Sequence, residues 1–326
     1  DPGVDPGVGG LTDRLWAIAR RTSVADPAPF EHRVFGLEIG RRLGAGVPGA
    51  AWVASMEEAM SWFDAGMGRC GEADGRVVEA SRDDSPVSRD FAWVAKHPLS
   101  AAGRQRIRGH GRPEADQRRR LARLFDVRGG GLLLEPWLRR MADFGLSGLV
   151  EEMTPSSRGP WFVGIHEQLV DDQGRFVGAR VARGEEGLSL RRGERQRLLE
   201  AGLAVARALH RGGYRGPFSV DAFRFATDAP ATDASREGRD VDDAGIAREA
   251  RVGEGFVAIC EVNARCTFGL VAHALARRAM ARDRKFRTCT LHLGRQPAPC
   301  SRGEKLVTLL EGAASDGTGA WLRLSR

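Results

Sequence analysis

Apolar and polar positions along this chain change period several times, and each change marks an element. Phe256, Val257, Ala258 and Ile259 form a short continuous apolar run, the pattern of a strand entering a core. Just beyond it Glu261, Asn263 and Arg265 recur at a spacing of two, which on a strand puts all three on one face. Upstream, Leu198, Leu199, Leu203, Ala206 and Leu209 make a helical stripe that Gly212 is placed to stop. A Gly/Pro turn then feeds a short aromatic strand carrying Asp221. Residues 161–170 and 175–181 read as a hairpin turning through Asp171, Asp172, Gln173 and Gly174. Residues 30–43 and 113–125 read as helices, and Ser55-Met56-Glu57-Glu58 as a capping box opening another. Two further apolar strands are predicted, residues 91–96 ending in Lys96 and residues 131–138 stopping at Glu135-Pro136.

This pattern divides the chain into three regions. Residues 1–50 hold a Gly/Pro-rich leader and a helix. Residues 51–138 form a smaller unit, and residues 139–326 a larger one with the hairpin, the long helix and the two polar-faced strands. Residues 226–255 are rich in Asp, Ala, Arg and Gly and lack apolar periodicity, so they read as a mobile insertion between the strands of Asp221 and Glu261.

Composition narrows the function classes. Hydrophobic residues make up 42% of 326 residues, enough for a sizeable core, yet no run approaches the length of a membrane span. The net charge of +7 suits a nucleic acid or a smaller anion such as a nucleotide. With aromatic residues at 7% and a single tyrosine there is no stacking platform for single strands, and the arginines are spread along the chain. Nucleic acid and membrane partners are therefore not expected. The five cysteines include no Cys-x-x-Cys pair and are odd in number, which suits reduced thiols in a cytoplasmic protein. Cys266 is read as packing rather than as a nucleophile. The N-terminus lacks a targeting pattern, and its missing Met suggests a processed or truncated chain.

The polar face carries the chemistry. An anionic oxygen, a neutral oxygen and a fixed cation at Glu261, Asn263 and Arg265 suit a hard divalent metal with a phosphate beside it. The plain alternative is a solvated face on an edge strand. If the strand of Asp221 pairs antiparallel with that of Glu261, two carboxylates converge on one cation. Lys96 stands out because only three of the 50 basic residues are lysines. An ammonium at a strand end acts as a point charge for phosphate oxygens, or merely snorkels. Arg118, Arg119 and Arg120 read as a solvated helix face, with attraction of nucleotide as the alternative. His166 either faces a substrate or is a satisfied strand histidine.

The order of these parts resembles the ATP-grasp superfamily, whose metal signature is a strand with Asp followed by a strand with Glu-x-Asn-x-Arg. The resemblance covers roughly residues 45–275 and implies an α+β fold of two lobes gripping ATP, with the N-terminal Rossmann-like lobe reduced or missing. It implies that Asp221 and Glu261 hold one Mg²⁺ (or Mn²⁺), that Glu261 bridges to a second, and that Asn263 completes the second site. Arg265 would face the transferred phosphoryl group. Lys96 would meet the phosphates, followed by a flap that departs from the family in having His97 before Pro98 and one glycine, Gly103, before Arg104. Glu135, Pro136, Trp137 and Leu138 would be the hinge against which ATP lays its adenine. The family's second lysine is absent ahead of Lys96, and an arginine such as Arg33 or Arg41 would replace it. The implied activity is an ATP-dependent ligase joining a small-molecule carboxylate to an amine through an acyl phosphate. The alternatives are an ATP-grasp kinase acting on a hydroxyl and a non-catalytic nucleotide-binding scaffold.

Overall fold

A computed structural model describes residues 28–69, 91–99, 106–125, 130–151, 161–171, 174–227, 253–311 and 318–326. Two helices come first, α1 (Ala28–Glu31) and α2 (Arg33–Leu43). The single helix expected over residues 30–43 is thus broken at His32, whose extended backbone and ring Nδ1 cap Val34 N–H at the start of α2. Ahead of β1 (Ala51–Val53) the described residues contain no strand beyond an isolated bridge from Gly46 to Ile259.

The first sheet is antiparallel, in the order β1–β4–β2–β3, with β2 spanning Ala92–Lys96, β3 Arg106–His110 and β4 Leu132–Pro136. One face packs beneath α3 (Met56–Arg69) and α4 (Ala115–Phe125) through Phe63, Trp93, Leu121, Leu132 and Leu134. Trp93 is fully buried, meets Phe63 at 4.7 Å between ring centroids, and donates its indole N–H to Gly111 O at 2.8 Å. Ser55 accepts from Glu58 N–H, while the Glu58 carboxylate reaches one residue further back than a standard box, to Ala54 N–H. Alternation does the rest. With Trp93 and Ala95 turned to the helices, Val94 and Lys96 face the other way. Val94 pairs with Glu135, so Lys96 and Glu135 are diagonal neighbours on that second face. Arg118, Arg119 and Arg120 are exposed on α4, as a solvated face requires.

The second sheet has eight strands in the order β11–β12–β10–β7–β6–β5–β8–β9. Its strands are β5 (Arg140–Val150), β6 (Trp161–Val170), β7 (Phe176–Ala182), β8 (Gly216–Ala226), β9 (Glu254–Asn263), β10 (Thr288–Arg295), β11 (Lys305–Glu311) and β12 (Thr318–Ser325). On one face lies α5 (Arg192–Arg211), whose Leu198, Ala201, Val205 and Leu209 pack against Phe144, Leu146, Phe218 and Val220. Gly202 lets α5 approach Leu146 so closely that a Cβ would sit 2.1 Å from its Cδ2. The α5 helix ends at Arg211 with Gly212 as its C-cap, as expected; Gly213, at φ 86°, then takes the left-handed turn, and Tyr214 N–H returns to Leu209 O. The last helix, α6 (Phe268–Arg282), lies on the opposite face, where His273 meets His166 edge-on at 5.3 Å.

The inserted segment is shorter than its composition suggested. Ala226 pairs with Glu254 at the open end of the β8–β9 hairpin, so residues 226, 254 and 255 are strand, and only 228–252 lie outside the described residues. Among the described residues no helix is long and apolar enough to cross a membrane.

A buried ion pair ties α5 to β8. Arg224 grips Glu194 with two donors, at 2.7 and 2.5 Å, and both side chains are about nine-tenths buried. Burial opposes ionisation of Glu194, but the Arg224 fork and the Arg191 N–H outweigh it and hold this carboxyl below its usual range. The pair's contribution is therefore present above the ordinary carboxylate pKa and lost as pH falls through the lowered value. Glu194→Gln is expected to cost about 3 kcal/mol in urea unfolding at pH 7, because it strands Arg224. The difference from wild type should shrink as the pH is taken below 4.

Candidate functional site

The two sheets face each other across a cavity of about 1030 Å³. Register explains what lines its floor. Glu261 on β9 pairs with Asp221 on β8, Asp221 with Gly145 on β5, and Gly145 with His166 on β6. Directly opposed residues share a face, so this row presents two carboxylates and an imidazole to the same side. A register shift in β9 falls between the pairs of Asp221 and Phe223, where Ala258 N–H and Ile259 N–H both donate to Ala45 O at 2.9 Å. Such irregularities re-aim side chains, and this one immediately precedes Glu261.

Of the residues singled out in the sequence, Lys96, Trp137, Leu138, Asp221, Glu261, Asn263 and Arg265 all line this cavity. Lys96 reaches Glu135 at 2.5 Å, and Glu135 is 4% exposed beneath it. Pro136 ends β4 opposite Trp93. Trp137 N–H donates to Ala92 O at 2.8 Å and is therefore committed to the sheet. Its ring instead carries the guanidinium of Arg108 at 3.7 Å from the centroid. Asn263 is buried and donates its amide to Asp221 Oδ2 at 3.2 Å. Arg265 lies past the end of β9 rather than on the strand, and pairs with Glu31 of α1 at 2.7 Å. The flap residues from Ser100 to Arg104 lie outside the described residues.

Several residues join the site that the sequence did not single out for it. Gln168 donates to Asp221 Oδ1 at 2.7 Å. Arg140 pairs with Asp143 at 2.7 Å and donates to Cys260 Sγ at 3.3 Å. Arg33, offered above with Arg41 as a stand-in for a lysine, sits 3.0 Å from Glu261 and donates to His97 O at 2.9 Å, whereas Arg41 bonds Ala50 O elsewhere. The resemblance thus offered Arg33, and the structure adds that it opens α2 and meets Glu261. His166 is 2% exposed with no hydrogen-bond partner at Nδ1 among the described residues, so the satisfied-histidine reading does not hold for that atom. Its ring is admitted by Gly145 and Gly269, where a Cβ would lie 2.4 and 2.2 Å from it.

Electrostatics separate the two carboxylates. Burial and the charge of Glu261 push Asp221 up to about 7, against its amide donors and Arg140. Burial also opposes ionisation of Glu261, but Arg33, Lys96 and Arg265 outweigh it and hold Glu261 below the usual range. The pair thus carries one charge readily, and the second ionisation falls on Asp221. Burial pushes His166 down to about 4, so its imidazole is neutral at pH 7. Cys266 is exposed in the same cavity, and burial of its sulfur raises rather than lowers its pKa, so it is no activated thiolate.

A hard divalent cation suits this arrangement. Asp221 and Glu261 offer oxygen donors from adjacent strands, and the raised Asp221 is a carboxylate whose ionisation a cation would relieve. Among the described residues no three His, Cys, Asp or Glu side chains converge on one point. A third protein oxygen would have to come from the Asn263 amide after a flip.

No family model matches the sequence and no curated protein matches it. Solved structures do resemble it in fold. A biotin carboxylase from Campylobacter jejuni, in a β,γ-ATP complex, is 12% identical with a TM-score of 0.50, over 90% of this chain and 62% of that one. An N5-carboxyaminoimidazole synthase from Aspergillus clavatus, in complex with ADP and 5-aminoimidazole ribonucleotide, is 11% identical with a TM-score of 0.50, over 100% of this chain and 76% of that one. A pyruvate carboxylase from Rhizobium etli is 12% identical with a TM-score of 0.50, and this chain spans 25% of its length. These are ATP-grasp enzymes, and the chain has the ATP-grasp fold, an α+β architecture dominated by antiparallel sheets.

A raised Asp221 makes a prediction about the metal-free protein. The fold favours the neutral carboxyl, so its stabilisation is full below pH 4 and lost as pH rises through about 7. In chelator-treated protein, Asp221→Asn should be as stable as wild type near pH 4 and more stable at pH 8. Thermal unfolding at the two pH values, with the order reversed or unchanged, would remove the like-charge account of the pair.

Proposed function

We propose that this chain is an ATP- and Mg²⁺-dependent ligase that activates a small-molecule carboxylate as an acyl phosphate and passes the acyl group to an amine. The observation that carries the reading is the paired row of Asp221 and Glu261 sharing one cleft with Lys96 and Arg265, in an ATP-grasp fold. The ATP-binding and ligase chemistry of the enzymes that share the fold supports the same class.

In this reading Asp221, Glu261 and Asn263 would hold a divalent cation, which would supply neutralisation of phosphate charge. Lys96 holds phosphate oxygens, with Glu135 keeping its ammonium aimed into the cleft. Leu138 and the Trp137 ring form the adenine platform; the Trp137 N–H is already used, so the backbone donor to adenine falls to Leu138. Arg33, which neutralises Glu261 at 3.0 Å, would supply a further cation beside the phosphates. The substrate carboxylate oxygen attacks the γ-phosphorus, the bond to the β–γ bridging oxygen breaks, and ADP leaves. Arg265 faces the charge that develops there. The amine nitrogen then attacks the acyl carbon, the bond to phosphate oxygen breaks, and the amine's surplus proton passes to solvent.

Calorimetry of Mg·ATP binding to wild type and Glu261→Ala tests the reading. Loss of an outer-shell partner costs roughly 10–100-fold in metal affinity, so loss of Glu261 should cost at least about that much. ATP binding by well-folded wild type that is insensitive to Mg²⁺ and to Glu261→Ala would overturn it. A phosphorylated product formed without an amide would redirect it to a kinase.

A further inference from the structure

The cavity is divided by chemistry. Its cations sit on the small sheet, on α2, at the start of β5 and just past β9: Arg33, Lys96, Arg106, Arg139, Arg140 and Arg265. Its opposite wall, built by β6, β7, β10 and the first turn of α6, is apolar, with Val170, Phe176, Phe268, Val271 and Leu293 facing the space. At the β6–β7 turn Asp171 is paired with Arg175 at 2.7 Å and Arg106 and Arg108 lie close by, so the apolar stretch of the wall is the part formed by Phe176, Phe268, Val271 and Leu293.

Two features mark the wall as a ligand surface rather than the margin of a core. Six large hydrophobic side chains are exposed among the described residues, and two of them, Val170 and Phe268, stand on this wall. Phe268 is 55% exposed, yet its ring lies stacked on Phe176, with centroids 5.8 Å apart and planes 14° apart. Leaving such surface open to water is unfavourable by about 25 cal/mol per Å² unless something covers it. Phe268 also stands three residues after Arg265, so the apolar wall begins where phosphoryl transfer would end. The cavity volume, about 1030 Å³, exceeds what a nucleotide alone would fill.

We propose that the acid activated at this site has an apolar, aromatic body that packs on the Phe268–Phe176 wall, with its carboxylate turned toward Arg265. The inference rests on the ligase reading for its carboxylate and on the wall for its body. Highly charged acids are disfavoured, because they would bury charge against Phe268, Val271 and Leu293 with no partner. Each added methylene that reaches the wall is worth about threefold to fourfold in kcat/KM.

Hydroxylamine makes the test independent of the natural amine. Its nitrogen attacks the acyl phosphate, the C–N bond forms as the C–O bond to phosphate breaks, and a hydroxamate, inorganic phosphate and a proton are released. With Mg·ATP and hydroxylamine, 3-phenylpropanoate and benzoate should exceed acetate and succinate by about tenfold or more in kcat/KM. Phe268→Ala should lower the aromatic-to-acetate ratio about fivefold or more, a ratio from which any general loss of activity cancels. Preference for acetate or succinate, or a ratio that Phe268→Ala leaves unchanged, would overturn the proposal. If no acid yields hydroxamate, the ligase reading fails, and the wall is judged by calorimetry of 3-phenylpropanoate with Mg·ADP present. Binding weakened by Phe268→Ala would then sustain an aromatic-acid site, and no binding to wild type would end it.

Discussion

Two carboxylates opposed across a strand pair in a half-closed cleft are the constraint that organises this molecule. Asp221 and Glu261 are fixed opposite each other by the β8–β9 register, and neither can move away without breaking the ladder. Like charges so close are costly where water is scarce. The protein meets that cost with cations brought from distant parts of the chain. Arg33 comes from the first turn of α2, and Lys96 and Arg265 contribute through their charge. Asp221 has no such direct partner and is left with amide donors and a raised pKa. The two carboxylates are thus balanced unequally, one by cations and the other by amide donors.

The rest of the architecture holds these groups in place. On the small sheet, Trp93 and its neighbours bury one face, and alternation alone then delivers Lys96 and Glu135 to the other. On the large sheet, α5 fills the far face through Leu146 and Phe144, leaving Gly145 and Asp221 on the cleft side. The α6 helix closes that side, and its first turn, following directly on Arg265, becomes the apolar wall. The first turn of α6 thus divides a charged part of the cavity from an apolar part. Small residues matter where backbones crowd the site: Gly145 and Gly269 leave room for the His166 ring that any side chain would displace.

Much of the fold was legible as pattern. The antiparallel pairing of β6 with β7, the capping at Ser55 and Glu58 and the long amphipathic helix all follow from local rules of turn, cap and period, while Asp172 and Gln173 of the expected turn lie outside the described residues. Other elements gave weak signals for physical reasons. β5 is the central strand of the cleft, yet Ala142, Gly145, Ser147 and Gly148 dilute its apolar run, because helices and the His166 ring press on it from both sides. β3, with the sequence Arg106-Ile107-Arg108-Gly109-His110, carries no apolar run to mark it, since its outward positions serve the cleft and the Trp137 ring. The helix over residues 30–43 looks continuous because nothing in its periodicity announces that His32 will act as a cap.

By itself the sequence determined that Glu261 and Asn263 share one face of a strand, since a spacing of two is a local property of the chain. It therefore contained the Asp221 strand, the Glu261–Asn263 pair and the lysine at the end of β2. What only the tertiary structure decided is what those residues meet. Arg33 neutralises Glu261, Lys96 lies against Glu135, Arg265 leaves the strand for Glu31, and Trp137 gives its N–H to Ala92. These partners are separated by tens to hundreds of positions and are selected by charge balance and register across two sheets. Local pattern cannot express such long-range compensation, because its energy exists only once the cleft has formed.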